Sequence, residues 1–145
     1  MHKLRQVVQR LNMISTSPDA SVFEAAARMT AGRVGAVPVL DDADALVGIF
    51  SERDLMTRVV MAGRDSRHTR IREVMTHDVV SASLEDSVDR CLEKMRSAGC
   101  RHLPVVEGGR VISMLSMRDL LLDELEEQTE EIRHLRAYIH QEAPI

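Results

Sequence analysis

The chain repeats itself. Ser21-Val22, Met29, Pro38-Val39 and Ser51-Glu52-Arg53-Asp54-Leu55 recur as Ser87-Val88, Met95, Pro104-Val105 and Ser116-Met117-Arg118-Asp119-Leu120. The offset is 66 positions through the earlier pairs and 65 at the last, so one residue is missing from the second copy between them. Internal repetition means two copies of one supersecondary unit, neither of which buries its apolar face alone. A function common to the pair therefore belongs between the copies.

At 145 residues the chain has room for one compact domain made of two half-size repeats. Two Phe, one Tyr and no Trp leave the core to Val, Leu, Ile, Ala and nine Met, which suits strands packed on helices. Nineteen Lys and Arg against 23 Asp and Glu give a net charge of −4. That balance argues against a broad nucleic-acid or anionic-membrane surface, and the scarcity of aromatic rings removes the stacking platforms of single-strand binders. No signal-peptide run opens the chain and no stretch approaches 18 uninterrupted apolar residues, so a cytoplasmic protein is expected. Cys91 and Cys100 lack metal-type spacing and read as reduced residues near the core.

Each copy opens with a short amphipathic lead, Leu4 to Val8 and Ile71 to Met75. Ile14 to Thr16 and Val79 to Ser81 read as short strands, followed by polar turns. Val22, Ala25, Ala26 and Met29, and Val88, Leu92 and Met95, keep helical spacing, with Gly32 and Gly99 as stops. Ala36 to Leu40 with Leu46 to Phe50, and His102 to Val106 with Val111 to Leu115, read as hairpins, and a second helix follows each. The unit is thus β-α-β-β-α written twice, an α+β fold. The expected division is a first repeat over residues 1–61, a polar, basic connector over 62–70 with a phosphate-facing side, a second repeat over 71–124, and a tail over 125–145.

From Leu121 to about Gln141 there is no Gly or Pro. Leu125, Ile132 and Ile139 stand seven apart with Leu121 and Leu135 beside them, which predicts one long amphipathic helix. Exposure of that stripe would leave an apolar patch in water, so the tail is expected to dock on its own domain or on a partner, and a homodimer is expected, with the tail packed on the other subunit or on its tail and Glu126, Glu127, Glu130 and Glu131 facing solvent.

Ser51-Glu52-Arg53-Asp54 and Ser116-Met117-Arg118-Asp119 sit where a strand gives way to a helix. Helix capping explains them: the Ser accepts an early backbone N–H while the carboxylate three residues on reaches back to the cap. The same groups also suit a nucleotide, because helix N–H groups and Arg favour phosphate and a carboxylate accepts ribose hydroxyls. Both readings stay open on these residues alone.

Here the chain resembles the cystathionine-β-synthase-type (CBS) family, whose hallmark is Gly-apolar-apolar-Ser/Thr-x-x-Asp after a Pro-Val strand. It reads Gly48-Ile49-Phe50-Ser51-Glu52-Arg53-Asp54 and, more loosely, Ser113-Met114-Leu115-Ser116-Met117-Arg118-Asp119. The resemblance covers all but the tail and extends to small stand-alone bacterial CBS-pair proteins. It implies a regulatory module that packs its two repeats sheet to sheet and binds AMP, ADP, ATP, NAD(H) or S-adenosylmethionine. Asp54 and Asp119 would take the ribose, and Ser51, Arg53, Ser116, Met117 and Arg118 would lie beside phosphate or ribose. The adenine would lie against Ile14, Ser15 and Thr16 with Gly35, Ala36 and Val37, or against Val79, Val80 and Ser81 with Arg101, His102 and Leu103. Arg101 and His102 in place of Gly35 and Ala36 give the second copy more cationic equipment, which favours it for phosphate.

No Walker loop, GxGxxG fingerprint or His pair with metal spacing is present, so no catalysis and no catalytic cofactor or metal are expected. Two binding classes remain: a sensor that signals to an effector protein when adenosyl ligand fills the cleft, and an adaptor that uses the fold only to dimerise.

Overall fold

The computed structural model describes residues 3–8 and 13–142. The start of the expected first repeat, residues 9–12 within it, and the end of the tail lie outside these. The order of elements is α1 (Leu4–Val7), α2 (Val22–Gly32), β1 (Ala36–Leu40), β2 (Leu46–Ser51), α3 (Glu52–Asp54), α4 (Ile71–Val74), α5 (Val88–Ala98), β3 (His102–Glu107), β4 (Arg110–Ser116) and α6 (Met117–Glu142), with α3 continued by a π-helical turn over Leu55–Val60. Two antiparallel hairpins, β1–β2 and β3–β4, form separate sheets, and β1 of one lies against β4 of the other.

The strand expected at the head of each repeat is reduced to a single bridge. Thr16 donates to the Pro38 carbonyl and accepts from Leu40, while Ala82 donates to the Pro104 carbonyl and accepts from Val106. This pattern asks only a carbonyl of each Pro, which explains how a residue without an N–H sits inside the sheet. In the second copy the pairing residue is Ala82, so Val79 to Ser81 precede the bridge and do not form the strand read from them.

Ser21 caps α2 through a reciprocal box with Glu24, and Ser87 caps α5 by accepting the Arg90 N–H. Gly99 ends α5 in the left-handed region at φ 69°. Gly32 is the last residue of α2, but the left-handed position falls to Arg33 at φ 55°, and a Cβ on Gly32 would meet the end of the Ile14 side chain.

The leads are exchanged. Leu4, fully buried, packs with Leu84, Val88, Cys91, Met95, Leu103, Leu115 and Leu120 in the core of the second repeat. Ile71, Val74 and Met75 pack with Val22, Ala25, Met29, Val39 and Phe50 in the core of the first. Backbone bonds repeat the exchange: Leu4 donates to Asp86 and Arg5 to Leu84, while Ile71 donates to Ala20 and Arg72 to Pro18. Arg5 pairs with Glu85 at 2.9 Å, and Arg70 and Arg72 pair with Asp19. Exposed pairs contribute little, so the exchange rests on the burial of Leu4 and Ile71.

The connector's basic side chains meet partners within the chain. Arg64 pairs with Glu73, Arg70 with Asp19, His68 with Asp65, and Arg67 stacks on the Phe23 ring at 3.9 Å. Two of these contacts reach the first repeat, at Asp19 and Phe23, one stays within the connector and one reaches the lead of the second repeat. Beyond the second repeat, the closing helix and the tail are one helix of 26 residues. Its first turns pack on α5 and α1, and from Gln128 to His140 every residue is exposed. Glu126, Glu130 and Glu131 are exposed as expected, whereas Glu127 is half-buried.

Candidate functional site

Each Ser-x-x-Asp forms a cap at the end of its second strand. Ser51 accepts the Asp54 N–H at 3.2 Å, and Asp54 Oδ2 accepts the Ser51 N–H at 3.0 Å and its hydroxyl at 3.1 Å. Asp54 is 7% exposed and its second oxygen is also engaged: Oδ1 accepts Thr76 Oγ1 at 3.2 Å and lies 3.7 Å from Arg58 Nε. Arg58 in turn donates to the carbonyls of Val74 and Met75. The lead of the second copy thus closes over the first copy's carboxylate.

Gly48 belongs to the same closure. A Cβ there would lie 2.7 Å from Met75 Sδ and 2.9 Å from the Thr76 carbonyl, which exchanges backbone bonds with Ile49. The glycine serves an approach of the chain's own backbone. Ser113 holds the matching place in β4, is 1% exposed, and its hydroxyl finds no partner among the described residues.

The second corner repeats the cap and little else. Ser116 accepts the Asp119 N–H at 3.1 Å, and Asp119 Oδ2 accepts the Ser116 N–H at 3.0 Å. Among the described residues only Ser116 hydrogen-bonds Asp119, which is half-buried. Where the first repeat places Arg58 four residues after its Asp, the second places Asp123.

His102 joins this corner to the other repeat. Its Nε2 lies 3.3 Å from where a Cβ on Gly35 would stand, with Glu52 Cδ 3.5 Å from the same point, so the missing side chain of Gly35 makes room for the imidazole. Burial pushes the His102 pKa below its ordinary 6.5, against the pull of Glu52 and Asp119 and aided by Arg101. A histidine depressed in the folded state is protonated first in the unfolded chain. Stability is therefore full above pH 6.5 and falls as pH drops from 6.5 through the lower folded value. His102→Gln should flatten that part of the stability curve, measured by urea unfolding at pH 7 and pH 5.5; an unchanged difference would show that other groups carry it.

The remaining residues singled out from the sequence fall into two sets. Arg53, Arg101 and Arg118 are exposed and enter no ion pair among the described residues. Met117 is half-buried against the second core, and its N–H bonds to the Arg101 carbonyl at 2.7 Å, as Glu52 N–H does to Gly35. Ala36, Val37 and Leu103 are buried as whole residues and paired in the hairpins, so the structure leaves them no surface for the adenine contact expected of them. Val79 and Ser81 are half-buried and Val80 is 38% exposed. The carbonyls of Ser15 and Ser81 are held by Arg28 and Lys94 at 2.9 and 3.0 Å.

Thr76, Arg58, Glu52 and the Arg28–Lys94 pair were not singled out beforehand. The last was legible, since Arg28 and Lys94 stand one repeat apart. A groove of about 590 Å³ lined by Thr16, Asp19, Phe23 and Arg28 contains, of the expected contact residues, Thr16 alone. Among the described residues no cluster of three or more His, Cys, Asp or Glu is placed to hold a metal, and no helix is long and apolar enough to cross a membrane. Both cysteines are free thiols, and burial, with Asp86 nearby, pushes Cys91 up to about 11.

The model of the CBS domain matches residues 4–60 and 71–125. The chain belongs to the CBS-domain family, as a tandem pair of the kind found in small bacterial CBS-pair proteins. It is 33% identical over 125 residues to the CBS domain-containing protein CBSX3, mitochondrial, of Arabidopsis thaliana, which covers 83% of this chain and 61% of that protein. Other Arabidopsis relatives are longer, and the chain spans 20–21% of their length. The crystal structure of a CBS-domain containing protein from Agrobacterium tumefaciens is 31% identical, with TM-score 0.79 over 85% of this chain and 99% of that one. A CBS domain protein from Pyrobaculum aerophilum complexed with AMP is 25% identical, with TM-score 0.74 over 84% and 97%. Family membership makes this chain a regulatory module of a non-catalytic kind.

Proposed function

We propose that the chain is a sensor that binds an adenosine-containing ligand at the corner of Ser116 and Asp119 and relays occupancy to an effector protein. The observation that carries this reading is the contrast between the two carboxylates. Asp54 is consumed by Ser51, Thr76 and Arg58, whereas the described residues leave Asp119 an oxygen with which to accept ribose hydroxyls. Arg118 and Arg101 stand exposed beside it for phosphate, and His102 reaches from the same corner to Gly35 and Glu52 of the first repeat, so a ligand there would touch both copies. AMP in the Pyrobaculum relative supports the ligand class.

A ligand that binds only the folded chain stabilises it by about 2.7 kcal/mol at 100 times its dissociation constant. A thermal-shift screen over AMP, ADP, ATP, NAD(H), S-adenosylmethionine and GTP should therefore show a rise with at least one adenosyl compound and none with GTP. No shift with any adenosyl compound would leave the adaptor role.

A further inference from the structure

Among the described residues nothing covers the outer half of α6. Leu121, Leu125, Ile132, Leu135 and Ile139 are 50–62% exposed, and with Gln128 they fall at alternating intervals of four and three residues, the seam of a two-stranded coiled coil. Such a stripe on a projecting helix needs cover. The sequence also says which way the cover runs.

From Asp123 to Glu131 the helix carries six carboxylates and no Lys or Arg, while from Ile132 to His140 it carries Arg133, Arg136 and two His and no carboxylate. Alone, this polarity suits the helix dipole. It also sets the pairing direction. Two copies side by side and parallel would bring acidic half against acidic half. Reversed, acid faces base. Reflection of the helix about position 130 lays Leu121 on Ile139, Leu125 on Leu135 and Gln128 on Ile132, and it sets the acidic half with Glu124, Glu126 and Glu127 at the level of the other copy's basic half with Arg136, His134 and Arg133, a match of halves that flank the seam. Stripe and charge thus share one centre, which is the condition for a self-complementary two-fold interface. The acidic groove between α5 and α6, lined by Val88, Asp89, Glu124, Glu127, Gln128 and Glu131, lies where the partner's basic end would arrive.

We infer that α6 pairs antiparallel with α6 of a second copy, about a two-fold axis at position 130. Gln128 opposite Ile132 places one polar residue in the seam, a device that fixes register at some cost in stability.

Disulfide trapping tests both partner and direction. In a Cys100→Ser background, with Cys91 buried and its thiol pushed up to about 11 and so unreactive, Leu125→Cys, Leu135→Cys and the double variant are oxidised at micromolar concentration. Positions 125 and 135 are about 15 Å apart along one helix, so they do not bridge within a chain. The expected result is a covalent dimer from the double variant and none from either single variant. Dimers from each single variant would show parallel tails and overturn the inference, as would the absence of a covalent dimer from the double variant. Arg133→Glu with Arg136→Glu, added to the double variant, should cut the cross-linked yield at least tenfold. An unchanged yield would overturn the role of charge in setting direction.

Discussion

Asp119→Ala should weaken adenosyl-ligand binding by tens-fold while Asp54→Ala leaves affinity within a few-fold of the parent, measured by calorimetry with the compound that gives the largest thermal shift. Hydrogen bonds to a charged group contribute about 1.5–3 kcal/mol, and each 1.4 kcal/mol is about a factor of ten in affinity. The two substitutions share one side effect, loss of the carboxylate half of the capping box, while Ser51 or Ser116 still accepts the backbone N–H. Asp54→Ala carries a further cost. It leaves Thr76 without its acceptor and Arg58 without its carboxylate beneath a buried corner, so the variant expected to spare binding is the one expected to unfold sooner. Stability and affinity should thus move in opposite order across the pair. If Asp54→Ala abolishes binding and Asp119→Ala does not, the ligand sits at the other corner.

The same two corners show how far the sequence could be read. The repeat, the hairpins and both caps follow from residues close together in the chain, and capping and nucleotide contact were both open there because the same Ser and Asp serve either. What separates them is Thr76, 22 residues from Asp54 and delivered by a lead that the repeat offset assigns to the other copy. The offset counts positions and is indifferent to which core receives Leu4 or Ile71, since both leads have the same apolar pattern. Ala82 illustrates a smaller failure. The β-branched Val79-Val80 pair drew the strand one residue early, although Thr16 and the offset of 66 point to 82.

The exchange of leads predicts a crossed pattern of damage. Leu4 and Ile71 are fully buried, and truncation of such a side chain to Ala typically costs about 2–5 kcal/mol, through lost transfer energy and the cavity left behind. Each change should fall on the repeat that is distant in sequence. Leu4→Ala opens a void among Leu84, Val88, Met95 and Leu120, so amide protection should drop first in α5 and the β3–β4 hairpin. Ile71→Ala opens one beside Val22, Met29 and Phe50, and protection should drop in α2 and the β1–β2 hairpin. Hydrogen exchange followed by mass spectrometry separates these segments. Were each substitution to loosen the repeat that contains it, the two cores would be independent and the leads mere extensions. In the crossed case neither repeat closes its core without the other's lead. The proposed ligand at Asp119 would add a second link between the repeats, at His102 and Gly35, so its occupancy should raise the stability of both halves together.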